Sequence, residues 1–282
     1  MKLLRFGPAG GERPGLLDAD GRVRDLSAHI PDISGATIGP DGLAKIAAID
    51  PSKLPVIYGA PRLGPCVAGV SKFVGVGLNY SDHAAETGQP IPTEPILFHK
   101  ATSSIIGAND DVMLPKDSVK LDWEVELGVV IGTGARYVDE SSALDHVAGY
   151  CIVNDVSERE FQLERLGQWT KGKGCDTFGP IGPWLVTKDE VPDSSSLGMY
   201  CDVNGERRQS GSTATMIFKV PFLVSYISHF MTLFPGDIIT TGTPPGVGLG
   251  MKPPQYLKAG DVVRLGIDGL GQQRQKVIPF RL

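Results

Sequence analysis

Cysteine, basic charge and long apolar runs are all scarce in this sequence. Only four of its 282 residues are Cys, and no two of them form a CxxC motif. This spacing favours reduced thiols over a disulfide framework or a cysteine-based zinc site. The formal net charge is −5, with 27 Lys and Arg against 32 Asp and Glu, and no basic block is present. Because nucleic-acid binding depends on neutralising phosphates, we expect no nucleic-acid partner.

The sequence also lacks the apolar segments that direct proteins to membranes. No stretch approaches the roughly 18 consecutive apolar residues of a membrane-spanning helix. The first six residues are followed by Gly, Pro and charge, so no secretory signal is predicted. These absences predict a cytoplasmic protein that acts on a small molecule and has no membrane partner.

Glycine and proline, in contrast, are abundant, with 36 Gly and 22 Pro. Both residues disfavour helix interiors, which excludes a mainly helical protein. Apolar and turn patterns predict a first strand at Leu3–Phe6 and a hairpin around Asp20–Gly21. Further strands are predicted at 72–76, 123–131, 147–154, 184–187, 199–203, 237–241 and 261–267, and helices at 42–49, 158–166 and 222–231.

These predicted strands do not alternate regularly with helices, and no glycine-rich nucleotide-binding motif occurs. The pattern therefore predicts a β-rich α+β fold. A boundary near Pro65 would separate a small amino-terminal, β-containing domain (1–65) from a larger catalytic domain (66–282).

A pair of acidic residues in an apolar strand is the first candidate site. In the stretch DWEVELGVV, side chains alternate between the two faces of the strand, so Glu124 and Glu126 share one face. This face either is exposed to solvent or, with a third oxygen ligand, binds a hard metal ion. Asp155 follows the next long apolar strand and could be that ligand, although a turn or cap role is also open. Three carboxylates without Cys or a neighbouring His suit Mg²⁺ or Mn²⁺.

A second candidate lies in NYSDHAAETG, where Ser81 or Asn79 can cap a short helix that Gly88 ends. His83 and Glu86 are three residues apart and share a helix face. Glu86 could therefore orient His83 as a general base for water, or the two could form a surface pair.

Two glycine-dense loops complete the candidates. One contains Lys171 and Lys173, either of which could stabilise a substrate carboxylate or an oxyanion. The other follows the strand at 237–241 and exposes hydroxyls, including that of Thr243. Glycine allows close approach of the backbone to a ligand, but surface turns use it too.

Taken in order, five segments closely resemble the fumarylacetoacetate hydrolase family. They are GLNYSDHAAETG, DWEVELGVVIG, VNDVSEREFQ, KGKGCDTFGPIGP and DIITTGTPPGVG, and the likeness continues through MKPPQYLKAGDVVRLGIDGLG. The resemblance is strongest to members that act on 2,4-diketo-3-deoxy sugar acids, acylpyruvates or ureidoglycolate. It implies a mixed β-sandwich roll preceded by a small amino-terminal domain, and a homodimer. One departure is Ala101 after Lys100, where the family often has Lys-Pro.

Residue by residue, the resemblance implies three groups of site residues. Glu124, Glu126 and Asp155 would bind Mg²⁺, with Mn²⁺ or Ca²⁺ as alternatives. The catalytic residues would be His83 and Glu86 as a water-activating dyad on a lid, and Lys173 rather than Lys171. Substrate and oxyanion contacts would come from Arg159 and Gln162, and a substrate-carboxylate contact from the Thr243 hydroxyl.

The implied reaction is metal-dependent hydrolysis of a C–C bond in a 2,4-dioxo acid, either an acylpyruvate or a diketo-deoxy sugar acid. Metal and Lys173 would stabilise the enolate while His83 and Glu86 activate the attacking water. Two alternatives stay open. The same site could act as a lyase, as in oxaloacetate decarboxylation or ureidoglycolate cleavage, or the acidic cluster could hold Ca²⁺ in a non-catalytic binding module.

Overall fold

The computed structural model describes all 282 residues, with the exception of the side chain of Thr87. Strands account for 34% of the chain and helices for 20%, which confirms the β-rich fold class. Each of the seven predicted strands after the amino-terminal hairpin is present, with ends within about two residues except at 184–187, where the strand starts five residues earlier.

The eighteen strands are β1 (Lys2–Phe6), β2 (Arg13–Leu17), β3 (Val23–Asp25), β4 (Val56–Ile57), β5 (Phe73–Gly77), β6 (Ile96–Lys100), β7 (Ile105–Gly107), β8 (Val112–Met113), β9 (Leu121–Asp122), β10 (Val125–Ile131), β11 (Val147–Asn154), β12 (Ser157–Glu158), β13 (Gly179–Thr187), β14 (Gly198–Val203), β15 (Glu206–Ser212), β16 (Ile238–Thr240), β17 (Val262–Ile267) and β18 (Gly271–Ile278). The four α-helices are α1 (Pro40–Ala47), α2 (Ser81–Thr87), α3 (Thr170–Lys173) and α4 (Val220–Ser228). Short 3-10 turns lie at 51–53, 102–104, 140–146, 188–190, 213–215 and 248–250.

The helix predicted at 158–166 is wrong in its first residues. Ser157 and Glu158 instead pair with β9 as the short strand β12, and only Glu160–Glu164 is helical, as a single π-helical turn. The Glu158 carboxylate accepts hydrogen bonds from the backbone N–H groups of Lys120 and Phe161. Glu158 therefore caps this turn rather than continuing it.

The largest sheet contains eleven strands in the order β4-β3-β2-β1-β13-β11-β10-β16-β5-β6, with β7 added in parallel to β13. A second sheet has the order β15-β14-β17-β18-β8, and its strands β14 and β17 pack against β10. Strand β10 lies near the middle of the larger sheet, between β11 and β16. Side chains of β10 therefore reach both faces of the larger sheet.

The alternation predicted along this strand is confirmed by the two different cores that its side chains join. Trp123, Val125, Leu127 and Val129 all belong to the main hydrophobic core. On the opposite face, Val130 packs in a second core with amino-terminal residues such as Leu3. Because β1 also pairs with β13, the amino-terminal strands extend the large sheet. The domain division near residue 65 stays a prediction.

Candidate active site

Three carboxylates converge where β10 begins and β11 ends. These strands are antiparallel, with Val125 opposite Asn154, so their neighbours Glu124 and Asp155 lie side by side. Each of Glu124, Glu126 and Asp155 offers an oxygen within 4.8 Å of the others, and all three are buried. The structure thus brings together the three residues predicted as metal ligands.

Lys173 lies over two of these carboxylates. Its Nζ donates to Glu124 Oε2 and to Asp155 Oδ2, at 2.6 Å each. The close packing of α3 against the preceding segment requires Gly172, since a Cβ there would lie 2.3 Å from the carbonyl oxygen of Glu158. Burial lowers the pKa of Lys173, but Asp155 and Glu124 outweigh burial and raise it. Lys173 is therefore a cation in this site.

Arg159 and Gln162 flank the same carboxylates. Arg159 Nη2 donates to Glu124 Oε1 at 2.6 Å, and its Nη1 donates to Gln162 Oε1 at 3.0 Å. Burial would raise the pKa of Glu124, but Arg159 and Lys173 outweigh it and bring that pKa to about 2. Glu124 is therefore ionised over the whole physiological range.

Glu126 is held differently from Glu124. Its Oε2 accepts hydrogen bonds from Thr240 Oγ1 at 2.5 Å and from the backbone N–H of Gly242 at 2.8 Å, both neutral donors. Burial, followed by the charges of Asp155 and Glu124, raises its pKa well above the usual value. Three buried carboxylates of this kind are the oxygen donors that Mg²⁺, Mn²⁺ and Ca²⁺ prefer, so the residues present fit a divalent cation.

The His83–Glu86 pair is formed within α2. His83 Nδ1 lies 2.9 Å from Glu86 Oε2, and Glu86 Oε1 accepts the backbone N–H of Gly246 at 2.9 Å. Glu86 thereby connects α2 to the loop after β16. His83 lines the same cavity, of about 250 Å³, as the three carboxylates, Arg159, Gln162 and Lys173.

Thr243 also lines this cavity, but its hydroxyl is already bonded to the protein. Its Oγ1 donates to the carbonyl oxygen of Val125 at 2.9 Å and accepts from Gln209 Nε2 at 2.8 Å. In this arrangement the hydroxyl supports the start of β10, and its contact with a substrate carboxylate stays a prediction.

Two site residues escaped the sequence reasoning. Lys100 is fully buried in β6 and its Nζ donates to Asp155 Oδ1 at 2.6 Å and to the carbonyl oxygen of Lys173 at 2.5 Å. Asp122 accepts from Arg159 Nε at 2.8 Å and from the backbone N–H of Gly248 at 2.7 Å. The period-two pattern that pairs Glu124 with Glu126 also includes Asp122, so this signal was present in the sequence.

The chain is similar to known proteins over most of its length. The family model described as fumarylacetoacetate (FAA) hydrolase C-terminal matches residues 72–278. The chain belongs to the fumarylacetoacetate hydrolase family. A Burkholderia multivorans protein named "Putative hydrolase" is 65% identical over 276 residues, which is 98% of each chain. This family membership confirms the predicted fold class as well as the resemblance.

Solved structures of the family extend over the full length of the chain. A fumarylacetoacetate hydrolase from psychrophilic Exiguobacterium antarcticum superposes with a TM-score of 0.89 at 38% identity, covering 99% of this chain and 100% of its own. A maleylpyruvate hydrolase from Sphingobium sp. SYK-6, in complex with manganese(II) ion and pyruvate, has a TM-score of 0.82 at 29% identity, with full coverage of both chains. A 2-hydroxyhepta-2,4-diene-1,7-dioate isomerase from Mycobacterium marinum has a TM-score of 0.76 at 32% identity, covering 99% of this chain and 98% of its own.

These family relatives support an enzyme of the hydrolase and isomerase-like kind that acts on small molecules. The buried acidic triad, together with the manganese(II) in the maleylpyruvate hydrolase structure, supports divalent-metal binding. Among the described residues, no helix is both long and apolar enough to cross a membrane.

Proposed function

We propose that this family member is a divalent-metal-dependent hydrolase that cleaves the C3–C4 bond of a 2,4-dioxo acid. The observation that carries the proposal is a single cavity lined by three converging buried carboxylates, by Lys173 and by His83, whose Nδ1 contacts Glu86. A divalent cation held by the carboxylates, together with the lysine, would stabilise negative charge, and the oriented histidine would act as the base that such hydrolysis needs.

Glu124, Glu126 and Asp155 would hold the ion, which we take to be Mg²⁺, with Mn²⁺ or Ca²⁺ as alternatives. When bound, such an ion polarises an oxo group and stabilises negative charge on its oxygen. Lys173 adds a second positive charge, and Arg159 and Gln162 contact the substrate carboxylate or the oxyanion. The backbone around Thr243 closes the wall of the cavity beside β10.

His83 is the base in this scheme. With the Nδ1 hydrogen donated to Glu86, the Nε2 lone pair accepts a proton from water. The water oxygen adds to C4 of the dioxo acid, and the C3–C4 bond then breaks. The electron pair of that bond passes to C3 as an enolate, which takes up one proton. One water is consumed, and pyruvate (or a related 2-oxo acid) and a second carboxylic acid are released.

The test is a panel of 2,4-dioxo acids assayed for pyruvate release with Mg²⁺ and with EDTA. We expect release that depends on the metal and that nearly disappears in His83→Ala. His29→Ala is the matched control, since His29 is exposed in the amino-terminal segment. Failure of every dioxo acid in the panel to be cleaved with Mg²⁺, Mn²⁺ or Ca²⁺ would contradict the proposal.

The His83→Ala variant also distinguishes hydrolysis from the lyase alternative. Decarboxylation of oxaloacetate requires no attacking water, so it should persist in His83→Ala, whereas hydrolysis should not. We also propose the homodimer and the cytoplasmic location, for which family resemblance is the support. Light scattering of the purified chain and fractionation of its host cells would test the two.

A further inference from the structure

The cavity described above has two chemically different parts. The floor consists of charged and amide side chains that are at most 8% exposed, namely His83, Glu124, Glu126, Asp155, Arg159, Gln162 and Lys173. Apart from the exposed Gln89, the remaining large side chains are apolar or aromatic, and Leu163 among them is 43% exposed. We call this second part the apolar wall, and it consists of Leu78, Phe98, Leu163, Trp169, Val247 and Leu249.

Lys173 and Arg159, which both line the cavity, already form ion pairs at the floor. Lys173 is bonded to Glu124 and Asp155, and the Arg159 guanidinium is bonded to Asp122, Glu124 and Gln162. Among the described residues, the apolar wall contributes no further cation. Placing a second carboxylate against this wall would remove it from water without a cationic partner, which is unfavourable.

The aromatic part of the wall is built into the sheet. Phe98 of β6 lies opposite Gly75 of β5, and a Cβ on Gly75 would come within 2.2 Å of the Phe98 ring. A Cβ on Gly77, on the same face, would lie 2.4 Å from the Trp169 ring. Glycine inside a strand weakens it, and here the two glycines make room for two rings.

These two rings also contact each other and the floor. Their centroids are 5.5 Å apart, and Lys173 Nζ is 5.1 Å from the centroid of Phe98. The apolar wall therefore begins directly beside the lysine of the floor. A ligand whose oxo-acid end is held at the floor would extend its other end along these rings.

We infer that the substrate's distal group is uncharged and apolar, an alkyl or aryl acyl group seated against Trp169 and Phe98. This inference rests on the proposed function for the position of the oxo-acid end. It excludes substrates with a carboxylate at the distal end, such as the dioates and maleylpyruvate in the names of structural neighbours. It also disfavours a polyhydroxylated sugar-acid tail, which needs several hydrogen-bonding partners in this wall.

The experiment compares two 2-oxo acids that differ only in the distal group, 2-oxo-4-phenylbutanoate and 2-oxoglutarate. Each is titrated into the Mg²⁺-loaded protein by calorimetry. We expect the phenyl compound to bind at least ten-fold more tightly. Equal or tighter binding of 2-oxoglutarate, or no binding of either, overturns the inference. Because this readout requires no turnover, it can succeed even where hydrolysis fails, so the two proposals fail separately.

Variants identify the wall as the cause of the preference. Leu163→Arg adds a cation at the edge of the wall and should strengthen 2-oxoglutarate binding about ten-fold while weakening the phenyl compound. The matched control is Leu166→Arg, because Leu166 is 94% exposed and does not line the cavity. Trp169→Leu should weaken the phenyl compound alone. Identical effects of the two arginine variants, or an equal loss of both ligands in Trp169→Leu, would contradict the assignment.

Discussion

Acidic side chains are held in two ways in this protein, and the contrast is clearest between the cavity floor and a network near the amino terminus. The amino-terminal network consists of Arg5, Glu12, Asp32, Arg62 and Asp110. Arg62 binds both oxygens of Asp110, at 2.7 and 2.6 Å, and Arg5 binds both oxygens of Asp32, at 2.7 and 3.0 Å. Glu12 contacts both guanidinium groups. Each acid in this network has a cationic partner.

At the cavity floor, two acids share cations and the third has only neutral donors. Lys173 bridges Glu124 and Asp155, whereas Glu126 accepts from a threonine hydroxyl and a backbone N–H. The pKa values differ in the same direction. Burial raises the pKa of Glu12, but its hydrogen bond to Arg62 and the nearby arginine charges outweigh burial and lower it. The pKa of Glu126 is instead raised.

This difference separates a network that stabilises the fold from a cluster that is ready for a ligand. The amino-terminal network connects β1 to Asp110 beyond the predicted domain boundary, and its charges are matched within the chain. The floor leaves one carboxylate without a cationic hydrogen-bond partner among the described residues, and a divalent ion would supply that charge. The following predictions are ordered from the largest expected effect to the smallest.

Lys173→Met should have the largest effect, because it removes the cation shared by two buried carboxylates. We expect kcat/KM to fall about 1,000-fold and the metal-free protein to lose about 3 kcal/mol of unfolding free energy. Steady-state assays and urea unfolding measure the two changes. Lys171→Met is the matched control, since Lys171 lies in the same helix but is exposed. A comparable loss of activity in both variants would mean that the loop, not the Lys173 ammonium, is responsible.

Metal addition should stabilise the floor and leave the amino-terminal network unaffected. At about 100 times its Kd, Mg²⁺ should raise the unfolding free energy by about 2.7 kcal/mol. Glu126→Gln should weaken Mg²⁺ binding about ten-fold or more, and Glu12→Gln should not change it. Calorimetric titration of EDTA-treated protein makes the comparison. Unchanged affinity in Glu126→Gln would remove Glu126 from the ligand set.

Breaking the amino-terminal network should reduce stability without changing the chemistry. Arg62→Met leaves Asp110 and Glu12 without their shared guanidinium, so we expect a loss of about 2 kcal/mol in unfolding free energy. Arg62 lies outside the cavity, and distant sites couple only weakly. We therefore expect kcat/KM of the folded protein to stay within about two-fold of the original. A large fall in kcat/KM, measured at a temperature where the variant is folded, would show that the network positions the cavity.

The smallest effect should come from removing a single carboxylate charge at Glu12. Glu12→Gln should cost about 1 kcal/mol at neutral pH, whereas the metal-free Glu126→Gln variant should cost nothing, because its donors are neutral. Since the pKa of Glu12 lies below its ordinary value of 4.5, its contribution is present above pH 4.5 and is lost as the pH falls through the lowered pKa. The gap between the original protein and Glu12→Gln should therefore close below pH 4.5 in urea unfolding. A gap that does not narrow at all as the pH falls below 4.5 would show that the effect is not the charge.

Much of the floor could be predicted from the sequence because its signals are local. Alternation along β10 separates Glu124 and Glu126 from the core residues, and the spacing of His83 and Glu86 fits one face of a short helix. Lys100 gives no such signal. Its three acceptors come from other segments, so its role depends on the arrangement of β6 beside α3.

Other parts were missed because their pattern is polar. Strand β18 carries Gln273 and Gln275 at alternate buried positions, where they bond to carbonyl oxygens of Ile152 and Ala108. Period-two hydrophobicity therefore does not mark it. The start of the predicted helix at 158–166 failed for another reason, since pairing of β12 with β9 outweighs local helix propensity there.

The alternation along β10 also determines how one-residue insertions and deletions in this strand would affect the protein. A one-residue insertion or deletion between Trp123 and Leu127 would turn the glutamates toward the main core and the apolar side chains toward the cavity. Folding and catalysis would then be lost together rather than one after the other. The activity of a library of variants therefore also reports whether β10 has kept its register. The chain is consequently a convenient host for testing insertions elsewhere in its loops.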